Sequence, residues 1–231
     1  MTESTSGIRL ALSQDDAFMH LLSDFLQSLG VKETEFLGEG MHGYACLLND
    51  GSVLKVTTQA EEAAACWLLM DAAAHTGEQQ HHWMNIHAVA RLGDVYAVVR
   101  EDAADLPVPD DSAGRRAMTD AFNHLNMEWE DRDEEWCGWQ AWIMELERQN
   151  NAMAPLLRTT WEGLERLEEL GIHVGDVMEE NMGMLDGRGP VLRDLSTCDV
   201  PDHALERVGG ILPGEVITGH KENRLTHLSH P

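Results

Sequence analysis

The chain has 231 residues, 43% of them hydrophobic and 25% charged, and a formal net charge of −25. That length and balance allow a real core, as one domain or two small lobes, and no apolar run approaches the length of a membrane-spanning helix. A field this negative repels nucleic-acid phosphates and anionic lipid headgroups, so direct binding to DNA, RNA or membrane is not expected, whereas solubility or encounter with a basic partner is.

The first residues, MTESTSGIRL, lack the basic-then-apolar pattern of a signal peptide, and a cytoplasmic protein is expected. Ser13-Gln14-Asp15-Asp16 is a looser capping box with Asp in place of Glu or Gln. Phe18, Leu21, Leu22, Phe25, Leu26 and Leu29 follow at helical spacing, and Gly30 closes the run. Residues 1–30 therefore read as a helical extension that packs on the lobe behind it.

From Thr34 the texture becomes strand-like: Glu35–Leu37, Tyr44–Leu48, a turn at Asn49-Asp50-Gly51, then Val53–Thr57. Between the first two strands lies Gly38-Glu39-Gly40-Met41-His42-Gly43. This G-x-G-x-x-G joins strand to strand, which disfavours a dinucleotide-binding turn and fits a glycine flap whose backbone amides approach a triphosphate. Lys55, one of two lysines in the first hundred residues, stands inside an apolar strand. It is either a solvent-facing lysine on an edge strand or a lysine that pairs with phosphates and with a carboxylate of the next helix. That helix, from about Gln59 to Ala74, offers Glu61 and Glu62; Glu62 shares a face with Cys66 and Leu69 and is the favoured partner.

Ile86–Leu92 and Val95–Arg100 read as a second hairpin, turning at Gly93-Asp94, which brings segment 31–102 to five strands and one helix. The chain leaves through Glu101-Asp102-Ala103; in a two-lobed nucleotide site this exit would form the hinge, where backbone groups of about Arg100 to Asp102 would hydrogen-bond an adenine edge. The histidines at 75, 81, 82 and 87 lack metal-ligand spacing, and Cys46, Cys66, Cys137 and Cys198, without any C-x-x-C, read as reduced thiols.

Residues 103–114, with two prolines, a glycine and several acids, read as a loop. Arg115 to Gln149 is helical in tendency and acidic, with Trp129, Trp136, Trp139 and Trp142 among Glu128, Glu130, Asp131, Asp133, Glu134 and Glu135. Either the tryptophans pack inward beneath a solvated acidic face, or segment 103–154 is an insertion that docks a basic protein. Leu157, Trp161, Leu164 and Leu167 then form an amphipathic helix ending at Gly171. It leads into GIHVGDVMEENMGMLDGRGPVLRDLS, residues 171–196, which holds Asp176, Asn181 and Asp194. The run Met182–Leu185, a turn, and Val191-Leu192 make a hairpin that returns Asp194 to Asn181. One carboxylate to orient an attacking hydroxyl, with an amide oxygen and a second carboxylate to hold Mg²⁺, is the donor set of a metal-dependent phosphoryl transferase. The tail from Asp202 to Pro231 shows no clear periodicity and reads as irregular; residues 155–231 are taken as the catalytic lobe with this tail.

The ordered set of Gly38, Gly40 and Gly43, then Lys55, a helix glutamate, Asp176 with Asn181 five residues on, and Asp194-Leu195-Ser196 resembles the protein-kinase-like fold. In its compact second lobe the chain looks most like the serine/threonine kinases of lytic podophages of the T-seven group. The resemblance implies an α+β, bilobal fold with a five-stranded antiparallel N-lobe and a reduced, mainly helical C-lobe. It implies ATP and Mg²⁺ as cofactors and host proteins, including the transcription and translation machinery, as substrates. Asp176 would be the catalytic base, Asn181 and Asp194 the Mg²⁺ ligands, Lys55 the phosphate-pairing lysine and Glu62 its partner. Within the pattern, Val174 stands where most kinases have a histidine, with His173 adjacent, and Ser196 replaces a glycine. Gly175 before Asp176 resembles the aminoglycoside phosphotransferases. Two other functions follow from the residues: an acidic, kinase-shaped protein that inhibits a basic, nucleic-acid-binding host factor without catalysis, and a small-molecule phosphotransferase of aminoglycoside-kinase type.

Overall fold

A computed structural model describes residues 7–76, 83–130, 132, 138–219 and 226–227. Along the chain the elements are α1 (Ile8–Ser13), α2 (Asp16–Leu29), β1 (Glu33–Glu39), β2 (Gly43–Leu48), β3 (Val53–Thr57), α3 (Ala60–Thr76), β4 (Ile86–Leu92) and β5 (Val95–Arg100). There follow β6 (Ala104–Asp105), α4 (Ser112–Glu130), α5 (Trp139–Arg148), α6 (Ala154–Glu169), β7 (His173–Val174), a single 3-10 turn at Glu179–Asn181, β8 (Met182–Leu185) and β9 (Gly189–Leu192). Last come β10 (Cys198–Asp199), α7 (Asp202–Gly209), β11 (Glu215–Thr218) and β12 (Thr226–His227). The protein is α+β, its strands paired antiparallel. No helix among the described residues is long and apolar enough to cross a membrane.

The chain divides into two compact units, one of residues 1–79, 85–102 and 200–231 and the other of residues 80–84 and 103–199. In the first, the five expected strands form, but among the described residues the sheet has seven, in the order β1-β2-β3-β5-β4-β11-β12. The two additional strands come from the tail. Its lack of periodicity conceals them because β11 is a short apolar run, Val216-Ile217, whose ladder partner β4 lies more than a hundred residues upstream.

The sheet is covered on both faces. On one, Phe18, Leu22 and Phe25 of α2 join Cys46, Leu48, Leu54, Val56, Ala88, Ala97 and Val99 in a continuous apolar cluster. On the other lies α3, which packs on β3, β4 and β5 and is itself covered by α7. Its alanines explain how one helix fits between two layers: Ala63, Ala64 and Ala65 are fully buried and keep the backbones close. All six residues of β5 are buried, as a strand covered on both faces requires.

The start of α2 differs in detail from the expected capping box. Asp15 is the N-cap, its Oδ1 accepting from the N–H groups of Ala17 and Phe18, while the Ser13 hydroxyl donates back to the Leu10 carbonyl at the end of α1. An aspartate reaches the two orphan amides of the first turn directly, which leaves the serine to close the preceding helix.

In the second unit, α4, α5 and α6 pack with two small sheets, β6-β8-β9 and β10-β7. The loop expected over 103–114 contributes β6, paired with β8. Trp129 and Trp139 are buried, and Trp161 of α6 is the centre of their packing, stacked on Trp139 at 4.3 Å and edge-on to Trp129 at 5.2 Å. Trp142 is half-buried against His124. Trp129 and Trp139 therefore serve the core with Trp161, and Trp142 lies at its margin against Trp139. Trp136, the acids at 131 and 133–135, Cys137, His81 and His82 lie outside the described residues.

Phe25 is fully buried in the cluster under α2. Replacing it by alanine should destabilise the protein by about 3–5 kcal/mol, and Asp15→Ala by about 1 kcal/mol, read as shifts in the urea midpoint at unchanged slope.

Candidate active site

The glycine turn lies at the tip of the β1–β2 hairpin, where the Gly40 N–H donates to the Gly43 carbonyl at 2.8 Å. Its three glycines have different reasons. A Cβ at Gly43 would lie 1.9 Å from the Val56 carbonyl oxygen, so close passage of β3 excludes any side chain there. At Gly38 and Gly40 a Cβ would meet nothing within 4 Å, so packing leaves both positions open to any residue. The tip is fixed at one point: the His42 carbonyl accepts from the Thr58 N–H and hydroxyl, and the His42 Nδ1 lies 2.6 Å from Gln59 Nε2 at the start of α3.

Lys55 is not on an edge. β3 is paired to β2 on one side and β5 on the other, with Lys55 opposite Ala45 and Val98. Because strand side chains alternate, Lys55 points away from the cluster that holds Leu54 and Val56, toward the face covered by α3. There its Nζ meets Glu62 Oε1 at 2.5 Å, with the two side chains 12% and 3% exposed. The other carboxylate oxygen, Glu62 Oε2, is buried without a hydrogen-bond partner among the described residues. A carboxylate this deep is held by its cation, and its removal would leave an uncompensated charge on either side. Below β5, the Glu101 N–H donates to the Asn85 carbonyl while the Glu101 side chain accepts from Asn85. Of the backbone groups expected at an adenine edge, this N–H is already engaged.

In the second unit, the strand β7 and the 3-10 turn bracket Asp176. The Asp176 Oδ2 accepts from Asn181 Nδ2 at 3.0 Å, and the same amide reaches the Asp176 carbonyl at 3.3 Å. The β8–β9 hairpin does return the chain: the N–H groups of Arg193 and Asp194 both donate to the Asn181 carbonyl, at 2.7 and 3.4 Å. Asp194 Oδ1 accepts from the Ser196 N–H at 2.9 Å, an arrangement that any residue at 196 can make through its backbone. Asp176, Asn181 and Asp194 are all half-buried.

The donor chemistry suits Mg²⁺. Asn181 turns its nitrogen to Asp176 and hence its oxygen to the opposite side of the amide. With the Asp194 carboxylate, this is the sparse oxygen set that Mg²⁺ accepts when phosphate and water complete its shell. No group of three His, Cys, Asp or Glu side chains among the described residues is arranged to hold a metal ion.

The residues that depart from the kinase pattern have local explanations. Val174 is buried and pairs with Cys198 across the β7–β10 ladder. His173 faces outward, its Nδ1 2.6 Å from Arg132 Nη2 and near Glu168. Gly175 donates its N–H to the Thr197 carbonyl, and a Cβ there would stand 3.0 Å from that oxygen. Close backbone approach thus disfavours a larger residue before Asp176.

No protein-family model matches the chain, and a search of curated proteins finds no relative. The functional reading therefore rests on these residues and their geometry.

The Lys55–Glu62 pair generates a stability test. Lys55→Met or Glu62→Leu alone should each cost about 3–5 kcal/mol, whereas the double variant should recover most of that loss. Urea unfolding of the four proteins checks it; single effects that simply add would show that the charges are not coupled.

Proposed function

We propose that the chain is an ATP- and Mg²⁺-dependent serine/threonine protein kinase acting on host proteins of basic character, similar to the compact kinases of lytic podophages. The observation that carries this reading is the Asp176–Asn181 hydrogen bond, together with the return of Asp194 to the Asn181 carbonyl by the β8–β9 hairpin. The buried Lys55–Glu62 pair supports it independently, because a lysine on an interior strand with a helix glutamate is the charge arrangement used to pair with nucleotide phosphates.

In this mechanism Asn181 holds one oxygen of the Asp176 carboxylate, which leaves the other to accept a hydrogen bond from the acceptor hydroxyl. As that hydroxyl oxygen forms its bond to the γ-phosphorus, its proton passes to Asp176, the bond from the γ-phosphorus to the β–γ bridging oxygen breaks, and ADP leaves. Asn181 and Asp194 would hold Mg²⁺, whose charge, when bound, neutralises the phosphate oxygens. By the resemblance Lys55, oriented by Glu62, would pair with nucleotide phosphates, and the open positions at Gly38 and Gly40 would leave room for backbone approach.

A second reading, capture of a basic protein without catalysis, is motivated by the net charge of −25. Incubation with labelled ATP, Mg²⁺ and a bacterial lysate separates the two. The wild type should label lysate proteins, Asp176→Ala should reduce labelling by on the order of 10²–10⁴-fold, and EDTA should abolish it. Equal labelling by wild type and Asp176→Ala rejects the kinase; retention of a basic partner by both proteins would then support the binding role.

A further inference from the structure

Three side chains of α4 hold the segment that carries Asp176, from both sides of that residue. Upstream, Trp129 Nε1 donates to the Val174 carbonyl at 3.1 Å. Immediately downstream, the Val177 N–H donates to Asn126 Oδ1 at 2.8 Å. Farther on, the Thr119 hydroxyl donates to Glu179 Oε1, the residue that opens the 3-10 turn leading to Asn181. Positions 119, 126 and 129 fall seven and three residues apart, so they form one stripe along the helix.

The Asn126 contact has a defined sense. Its Nδ2 donates to Glu130 Oε1 at 2.8 Å, and a carboxylate can only accept, while the Val177 N–H can only donate. The two partners together dictate which end of the amide faces the Asp176 segment. Val177 is itself fully buried, so its N–H has no recourse to water when Asn126 is removed. The backbone dihedrals at 176 and 177 set where the Asp176 carboxylate lies, and Glu179 precedes by two residues the amide that orients it.

We propose that Asn126 and Thr119 are positioning residues that brace the Asp176–Asn181 segment from α4. The proposal rests on the reading of Asp176 as the catalytic base, and it assigns to α4 a role in phosphoryl transfer that its sequence, polar and acidic, does not suggest. Neither residue acts on substrate; each acts through the position of Asp176 or Asn181.

The test compares wild type with Asn126→Ala, with the double variant Asn126→Asp/Glu130→Gln, and with Thr119→Val, which keeps the side-chain shape and removes only the donor. In the double variant the new carboxylate accepts the Val177 N–H and the new amide donates to its other oxygen. With labelled Mg-ATP and bacterial lysate, Asn126→Ala should lower kcat on the order of 10- to 100-fold with KM for ATP within about two-fold of wild type. The double variant should return kcat to within about three-fold, and Thr119→Val should lower kcat at unchanged KM even if Asn126→Ala does not fold. Unchanged kcat in both Asn126→Ala and Thr119→Val, or a double variant as impaired as Asn126→Ala, overturns the proposal. If the wild type transfers no more phosphate than Asp176→Ala, the kinase reading falls, and the brace is decided by NMR. The Val177 amide should then exchange faster and the Asn181 side-chain amide resonance move in Asn126→Ala, both returning in the double variant; no change in either overturns it.

Discussion

A cation inside a layered sheet must have its counter-charge within reach, and Lys55 and Glu62 meet that constraint. β3 has ladder partners on both sides, and helices cover both faces of the sheet. Lys55 therefore emerges into the layer between β3 and α3, where water cannot solvate it freely. The small residues of α3 let the helix approach closely enough for Glu62 to reach it. The register of β3 then matters as much as its composition: a shift by one residue would send Lys55 into the apolar cluster under α2. Sheet, helix and ion pair thus depend on one another, and the pair is a structural requirement of the layer it lies in.

The Asp176 segment obeys a different economy. It has little regular structure of its own, a two-residue strand and a single 3-10 turn, and its backbone groups are satisfied largely from outside. Thr197 supplies a carbonyl for the Gly175 N–H, Asn126 an acceptor for Val177, and Trp129 a donor for the Val174 carbonyl. A segment held in this way can place polar side chains that no helix or strand periodicity would align, which is the ordinary condition of chemically active loops. The tryptophans share in this. Trp129 packs its ring against Trp161 and uses its N–H on the loop, so one side chain joins the core of the second unit to the candidate chemistry.

Much of this was legible in residue order. The five strands from Glu33 to Arg100, the helix after Lys55, the preference for Glu62 and the return of Asp194 by a hairpin all follow from periodicity and turn chemistry, which are local. The tail was not legible, because α7 is defined by the helix it covers, α3, and β11 by the strand it pairs with, β4, rather than by their own pattern. The part played by α4 was likewise hidden: Asn126 and Thr119 are ordinary polar residues on a helix until the segment 174–179 lies beside them.

By itself, then, the order of residues determined the candidate chemical groups, Lys55, Glu62, Asp176, Asn181 and Asp194, and the local elements that carry them, since side-chain type and short-range spacing are properties of the chain. Only the tertiary structure decided that Lys55 is interior rather than on an edge, that Gly43 answers to close backbone approach while Gly38 and Gly40 do not, and that Trp129 and Trp139 serve the core. The physical reason is common to all of these: burial, ladder partners and backbone clearance are set by segments distant in the chain, and a residue's own neighbours in sequence carry no record of them.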